Sequence, residues 1–283
     1  MPIAAQPVEY GRSHTSRVFD GGQPMAISDS DIPSEKLSRM LQVCLNGART
    51  RNEFTSLPVT PDELAAAARD AVRAGVMDIH LHPKDSAGHD TLEPDHVAAA
   101  VTAVRATAPG VRVGVTTGAW TTQHAHQRLA FVRGWTVLPD HASVNWHEDG
   151  AVAVAETLMA RGIGIEAGIW SGTDSARRFL DWPHVHRVLR VLAEVTDTDP
   201  FTARQTAAVL LDTLTAVTDV PILLHGEDSA AWTILAMAAA RGLDTRIGLE
   251  DVLHLPDESP AESNASLIRA ARHIIGRAGG QSQ

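Results

Sequence analysis

VTPDELAAAARDAVRAGVMDIHLH, residues 59–82, sets one helix directly against one strand. Thr60 is a good helix N-cap, Pro61 suits the first helical position, and Gly75 suits the stop. VMDIHLH, 76–82, is then a β-branched and apolar run of strand length. Moving outward, the same rhythm repeats. Strand candidates are 41–46, 76–82, 111–117, a segment within 134–146, 163–168, 187–195, 221–226 and 245–250. Helical stretches fall between them, at 94–108, 122–132, 150–161, 174–181, 201–217 and 229–241, and a last one at about 260–277. Alternating β and α elements imply a parallel sheet. Eight such units with short connections imply an α/β fold of the closed (β/α)8 TIM-barrel type. The rival, an open doubly wound sheet, needs a glycine-rich phosphate turn after its first strand. Here that turn reads NGART, 46–50, with one glycine, and no GxGxxG or GxxxxGK[ST] occurs.

Residues 1–37 lack periodicity and are rich in Gly, Pro, Ser and Asp. They are expected to form an irregular arm before a catalytic barrel at 38–283, and 277–283 a frayed tail. The chain has 283 residues, 44% hydrophobic and 20% charged, enough for a full core. Its formal charge of −10 argues against a nucleic-acid binder, because phosphate contacts need clustered cations. No apolar run reaches the length of a membrane span, and the N-terminus shows no secretory h-region. One cysteine, Cys44, excludes an internal disulfide and any multi-cysteine metal site. It reads as a small core residue, and a cytoplasmic setting is expected.

The chemistry concentrates at strand ends. His80 and His82 lie two apart on a strand, so both imidazoles face one space. At the C-terminal mouth of a barrel strand, that space is the usual active site. The pair can chelate zinc, nickel, cobalt, manganese or iron. Glu250 and Asp251 close the last strand candidate, and two histidines plus one carboxylate leave open metal positions. Glu250 is the expected ligand and Asp251 the proton-transfer group. Arg246, four residues earlier, shares the strand face and needs an anionic partner, Asp251 or Glu166. Glu166, within IGIEAG, should be paired inside the barrel. Thr116, Thr117 and Gly118 offer hydroxyls and amides for a carboxylate. Asn46 and Arg49 follow the first strand, at the mouth. Asp85 can orient a ligand histidine or cap a turn. His124/His126 and His184/His186 repeat the HxH spacing. The first pair falls on a helix, where alternate residues diverge, and the second at the barrel bottom. Trp120 and Trp146 fall near strand ends and can wall a pocket, whereas Trp170, Trp182 and Trp232 read equally as packing.

His80-Leu81-His82-Pro83-Lys84-Asp85, Thr116-Thr117-Gly118 and Arg246-Ile247-Gly248-Leu249-Glu250-Asp251 occur in that order. With the run 46–68 they resemble the HxHxRD, (S/T)TG and RxGxED stretches of the β-keto acid cleavage enzyme family, over about residues 40–255. The resemblance implies a metal-dependent TIM-barrel enzyme, often a homo-oligomer. Such enzymes condense a small-molecule β-keto acid with acetyl-CoA to give acetoacetate and an acyl-CoA. It implies His80, His82 and Glu250 as ligands of a divalent ion, most often zinc. It implies Asp251 and Arg246 as the proton-moving dyad, Thr116 and the amides near Gly118 as the carboxylate site, and Glu166 as an acidic position of the fifth strand. The chain departs from the pattern at Lys84, where Arg is usual. It departs again at Glu227 and Asp228, where a Gly-Arg loop is expected and whose acids bear on the CoA site. Arg49 stands where some members carry an acid, which suggests a neutral or anionic acyl side chain. Two other readings compete. An amidohydrolase-type hydrolase also uses HxH, but wants histidines on strands five and six. A non-catalytic binding barrel fits the charge inversion at 227–228 but not the retained metal and dyad residues.

Overall fold

The computed structural model describes residues 39–280. The expected arm, 1–37, lies outside the described residues. Eight strands alternate with eight α-helices: β1 (Leu41–Cys44), α1 (Pro61–Ala74), β2 (Asp78–Leu81), α2 (Pro94–Thr107), β3 (Arg112–Val115), α3 (Ala125–Gly134), β4 (His141–Asn145), α4 (Ala151–Ala160), β5 (Gly164–Trp170), α5 (Ser175–Leu180), β6 (Arg190–Val195), α6 (Pro200–Thr215), β7 (Ile222–Gly226), α7 (Ala231–Arg241), β8 (Thr245–Ile247) and α8 (Asn264–Gly280). All strand pairs are parallel, in the order β7-β6-β5-β4-β3-β2-β1-β8. The ring closes through the parallel bridge Leu223–Asp244, where Leu224 N donates to Asp244 O at 2.9 Å. This is a (β/α)8 TIM barrel.

Local chemistry sets the elements. Thr60 and Glu63 form a reciprocal capping box on α1, and Gly75 ends the helix with φ 108°. Such a cap stabilises a helix by about 1 kcal/mol. The inner face of α1 buries Leu64, Ala68 and Ala71. Along the strands the period of two separates two environments. Val43, Ile79, Leu81, Val113, Val115 and Val144 are fully buried and belong to the apolar layer. Their neighbours Gln42, His80, Thr116, His141 and Glu166 point the other way and fill the barrel with polar groups.

Two boundaries differ from the sequence reading. β8 stops at Ile247 rather than residue 250, because Gly248 packs on the backbone of β1. A Cβ there would lie 1.8 Å from Cys44 O. The chain turns at that point, with Asp251 N donating to Gly248 O at 3.0 Å. The last helix starts at Asn264, not 260, and runs through 277–280 instead of fraying there. The segment before it folds as a loop pinned by the His254–Pro260 bridge. Asn264 Nδ2 donates to Leu45 O at 2.8 Å, tying the helix start to β1.

Candidate active site

A cavity of about 340 Å³ opens at the C-terminal ends of the strands. Its walls include His80, His82, Thr116, Trp170, Glu194, Glu227, Arg246 and Glu250. His80 is the penultimate residue of β2 and His82 lies just past its end, so the alternation aims both rings inward. His80 Nε2 is 3.8 Å from Glu250 Oε2, and His82 Nε2 is 3.7 Å from Glu250 Oε1. Burial pushes the His80 pKa down to about 4, which keeps it a neutral donor at neutral pH. Burial opposes the charge on Glu250, but Arg246 outweighs it and the pKa falls to about 2. Glu250 Oε2 is buried without a hydrogen-bond partner. Two imidazoles and a carboxylate with an orphaned oxygen suit one divalent ion. Zinc binding by this set fits its nitrogen and oxygen donors.

The support around these donors is specific. His82 Nδ1 pairs with Asp90 Oδ2 at 2.8 Å, leaving Nε2 toward Glu250. Trp120 stacks on the His82 ring at 5.8 Å and donates Nε1 to the same Asp90 oxygen at 2.7 Å. Lys84 Nζ bonds Asp90 Oδ1 and donates to Gly47 O at 2.7 Å. Asn46 accepts from His82 N and donates to His82 O, both at 2.9 Å. Gly47, at φ 56°, makes room for the third donor, since a Cβ there would lie 2.4 Å from Glu250 Cγ.

The orienting carboxylate is therefore Asp90, not Asp85. Asp85 is turned outward and accepts from Ala87 N and His89 N, capping its own turn. That turn lays Asp90 opposite Lys84. The DSAGHD run carried a turn signal in Gly88, but only the folded loop shows which acid returns.

Arg246 donates Nη2 to Asp251 Oδ1 at 2.9 Å and to Glu250 Oε1 at 3.0 Å. Asp251 is its partner, and Glu166 is not. Glu166 sits a layer lower, fully buried, with Arg190 Nε at 2.6 Å, Gln42 Nε2 at 2.9 Å and His141 Nδ1 at 3.1 Å. It approaches the metal donors only at His80 Nδ1, 3.8 Å away. Burial would raise its pKa, but His141 and Arg190 hold it well below the carboxylate range. Asp78, His141 and Glu166 also converge closely enough to hold an ion. Arg190 and Arg112 already occupy their charge, at 2.9 and 3.1 Å from Asp78, so this cluster is an ion network.

Thr116 lines the cavity, whereas Thr117 and Gly118 do not. Thr117 Oγ1 donates to Ser143 O at 2.6 Å, and Gly118 N donates to Thr116 Oγ1 at 3.1 Å. Thr116 keeps its hydroxyl proton available, and Ser143 joins it on the wall. Gly118 has a different use: the Trp120 ring lies where its Cβ would be, 2.2 Å away. Arg49 is on the wall with its charge engaged, 2.7 Å from Asp228 Oδ1 and 3.3 Å from Glu53 Oε1. Trp146 is packed in the core against Phe179 and Trp182, while Trp170 takes the mouth position. His124 and His126 are exposed but do not diverge. His124 is the extended N-cap of α3, and the two rings stack at 5.3 Å. His225 and Glu194, which the sequence reading passed over, stand next to Asp251 and on the cavity wall respectively.

The beta-keto acid cleavage enzyme model matches residues 39–282. The chain belongs to the β-keto acid cleavage enzyme family. A family relative, the 3-keto-5-aminohexanoate cleavage enzyme of Acetoanaerobium sticklandii, is 23% identical over 248 residues, covering 83% of this chain and 89% of the relative. An apo structure of ObcA superimposes with a TM-score of 0.61 at 18% identity, over 78% of this chain. The chain spans 62% of that ObcA chain. The 3-hexulose-6-phosphate synthase of Salmonella typhimurium superimposes with a TM-score of 0.53 at 14% identity, over 84% of this chain and 99% of that one. Those two likenesses concern the barrel alone. The family establishes an enzyme of keto acid cleavage that works with a metal.

Proposed function

We propose that this enzyme condenses a 3-keto acid with acetyl-CoA and releases acetoacetate and a new acyl-CoA, as a carbon–carbon bond-cleaving acyltransferase. The observation that carries this reading is the approach of three metal donors to an Arg246–Asp251 pair at one cavity. His80, His82 and Glu250 would hold zinc, which when bound polarises the keto oxygen as a Lewis acid. Thr116 donates its hydroxyl to the substrate carboxylate. Arg246, a cation held by Asp251 and Glu250, fixes the dyad that moves the C2 proton. Arg49 faces the acyl side chain. Because Asp228 and Glu53 already balance its charge, a neutral side chain fits better than an anionic one. The buried Cys44 accords with a cytoplasmic setting, and we expect a homo-oligomer. No described helix is long and apolar enough to cross a membrane. The hydrolase reading loses ground because β5 and β6 end in Trp170 and Val195, with no histidine ligand.

The test mixes purified, zinc-analysed protein with acetyl-CoA and a panel of charged and neutral 3-keto acids, and reads acyl-CoA masses. A new acyl-CoA that disappears in His80→Ala and in Asp251→Asn is the expected result. Asp251→Asn should lower turnover by about 10²–10⁴-fold while zinc content holds. Bound zinc with no product from any keto acid would sink the proposal. Exchanging Arg49 for Glu should shift the preferred acyl group toward cations, and an unchanged profile would remove its specificity role.

A further inference from the structure

Asp251 poses a problem of access. Its side chain is fully buried, and the cavity walls do not include it. Arg246 and Glu250, which are on the wall, stand beside it. Arg246 cannot carry a proton inward, since a guanidinium stays charged. Among the described residues, His225 makes the other close contact with Asp251. It lies on β7 with Nδ1 3.5 Å from Asp251 Oδ1 and Nε2 3.4 Å from Glu194 Oε2. The imidazole is 1% exposed, and neither nitrogen has another hydrogen-bond partner. Glu194, on β6, is 5% exposed and does line the cavity. Glu227 lines it next to Glu194.

We propose that Glu194 is a further catalytic residue, the cavity-facing carboxylate that takes the C2 proton of the keto acid, and that His225 positions it and joins it to Asp251. This rests on the reading that a keto acid binds in this cavity. The C2–H bond breaks, its electron pair passes into the enolate with charge on the keto oxygen, and an O–H bond forms on Glu194. In the closing step the same O–H gives its proton back to C2 of acetoacetate.

The environments of the two cavity carboxylates separate their tasks. Burial opposes charge on Glu194, but its contact with His225 lowers its pKa, so it is an available base. Burial and the Glu194 charge push Glu227 up to about 8, so it stays protonated beside its neighbour at neutral pH. Paired carboxylates with diverging pKa values mark acid–base assignments. Burial and Arg246 oppose charge on His225, yet Asp251 and Glu194 lift it to about 9. A cationic His225 donates to both carboxylates at once and fixes Glu194 toward the cavity. This gives Glu227, where the chain departs from its family pattern, a place in the chemistry.

The experiment uses the zinc-loaded full chain and acetoacetate, the keto acid common to every form of the reaction. Exchange of its C2 hydrogens in D2O is followed by NMR without acetyl-CoA. Glu194→Gln is expected to slow enzyme-dependent exchange by about 100-fold, with zinc content and thermal midpoint unchanged. His225→Gln is expected to slow it by about tenfold and to lower kcat with KM held. A folded, zinc-loaded Glu194→Gln that exchanges at the wild-type rate would overturn the proposal. If that variant does not fold, His225→Gln decides, and unaltered exchange overturns it equally. A wild-type enzyme that gives no exchange above buffer would instead defeat the underlying keto acid reading.

Discussion

Asp90 touches no substrate, yet it decides which nitrogen of His82 is presented. Its carboxylate is held well below the usual range: burial opposes the charge, but His82 and Lys84 outweigh it. Outer carboxylates of this kind fix ring orientation and ligand basicity. Asp90→Asn should therefore weaken zinc binding by roughly 10–100-fold, read by competition with a chelating dye. Unchanged affinity would mean that Trp120 stacking alone holds the ring. At this scale the sequence exposed the donors well. His80, His82, Glu250, Arg246 and Asp251 all stand at strand ends that the alternating pattern located. Asp90 and Glu194 were not legible, because a loop's return path and a wall position depend on how remote segments pack.

Turns do the positioning among the elements. The NGAR turn after β1 places Gly47 against Glu250, and the bend at Gly248 carries Glu250 and Asp251 off β8 toward the mouth. Gly47→Ala faces both a left-handed backbone and the Glu250 side chain. We expect it to cost about 1–3 kcal/mol of stability and at least ~tenfold in zinc affinity. Chemical denaturation and metal titration would check both, and a stable variant with native zinc affinity would show that Glu250 can shift freely. Strand and helix positions followed closely from caps and periodicity. The end of β8 did not, because Gly248 meets Cys44 across the barrel seam, a contact between residues 204 apart in sequence.

Over the whole barrel, polar residues fill the interior below the cavity. His141 is its titratable hinge: burial lowers its pKa, but Glu166 and Asp78 outweigh this and raise it to about 9. An unfolded histidine titrates near ~6.5. A group raised on folding stabilises fully below its unfolded pKa and loses that contribution as pH climbs through the folded value. Stability should therefore fall between about pH 6.5 and 9, by up to ~3 kcal/mol. Urea denaturation across that window would show it, and His141→Gln should flatten the fall. A wild-type profile already flat there would remove this role. The sequence by itself determined the (β/α)8 order, the helix caps, the inward-facing strand positions and the metal-donor set. These depend on neighbours a few residues apart and on the period of the backbone. Only the tertiary structure decided that Glu166 pairs with Arg190 while Asp251 takes Arg246, that Arg49 is bound by Asp228, and that His225 joins Glu194 to Asp251. Those partners lie on different strands and loops, and barrel closure sets which inward side chains share a level.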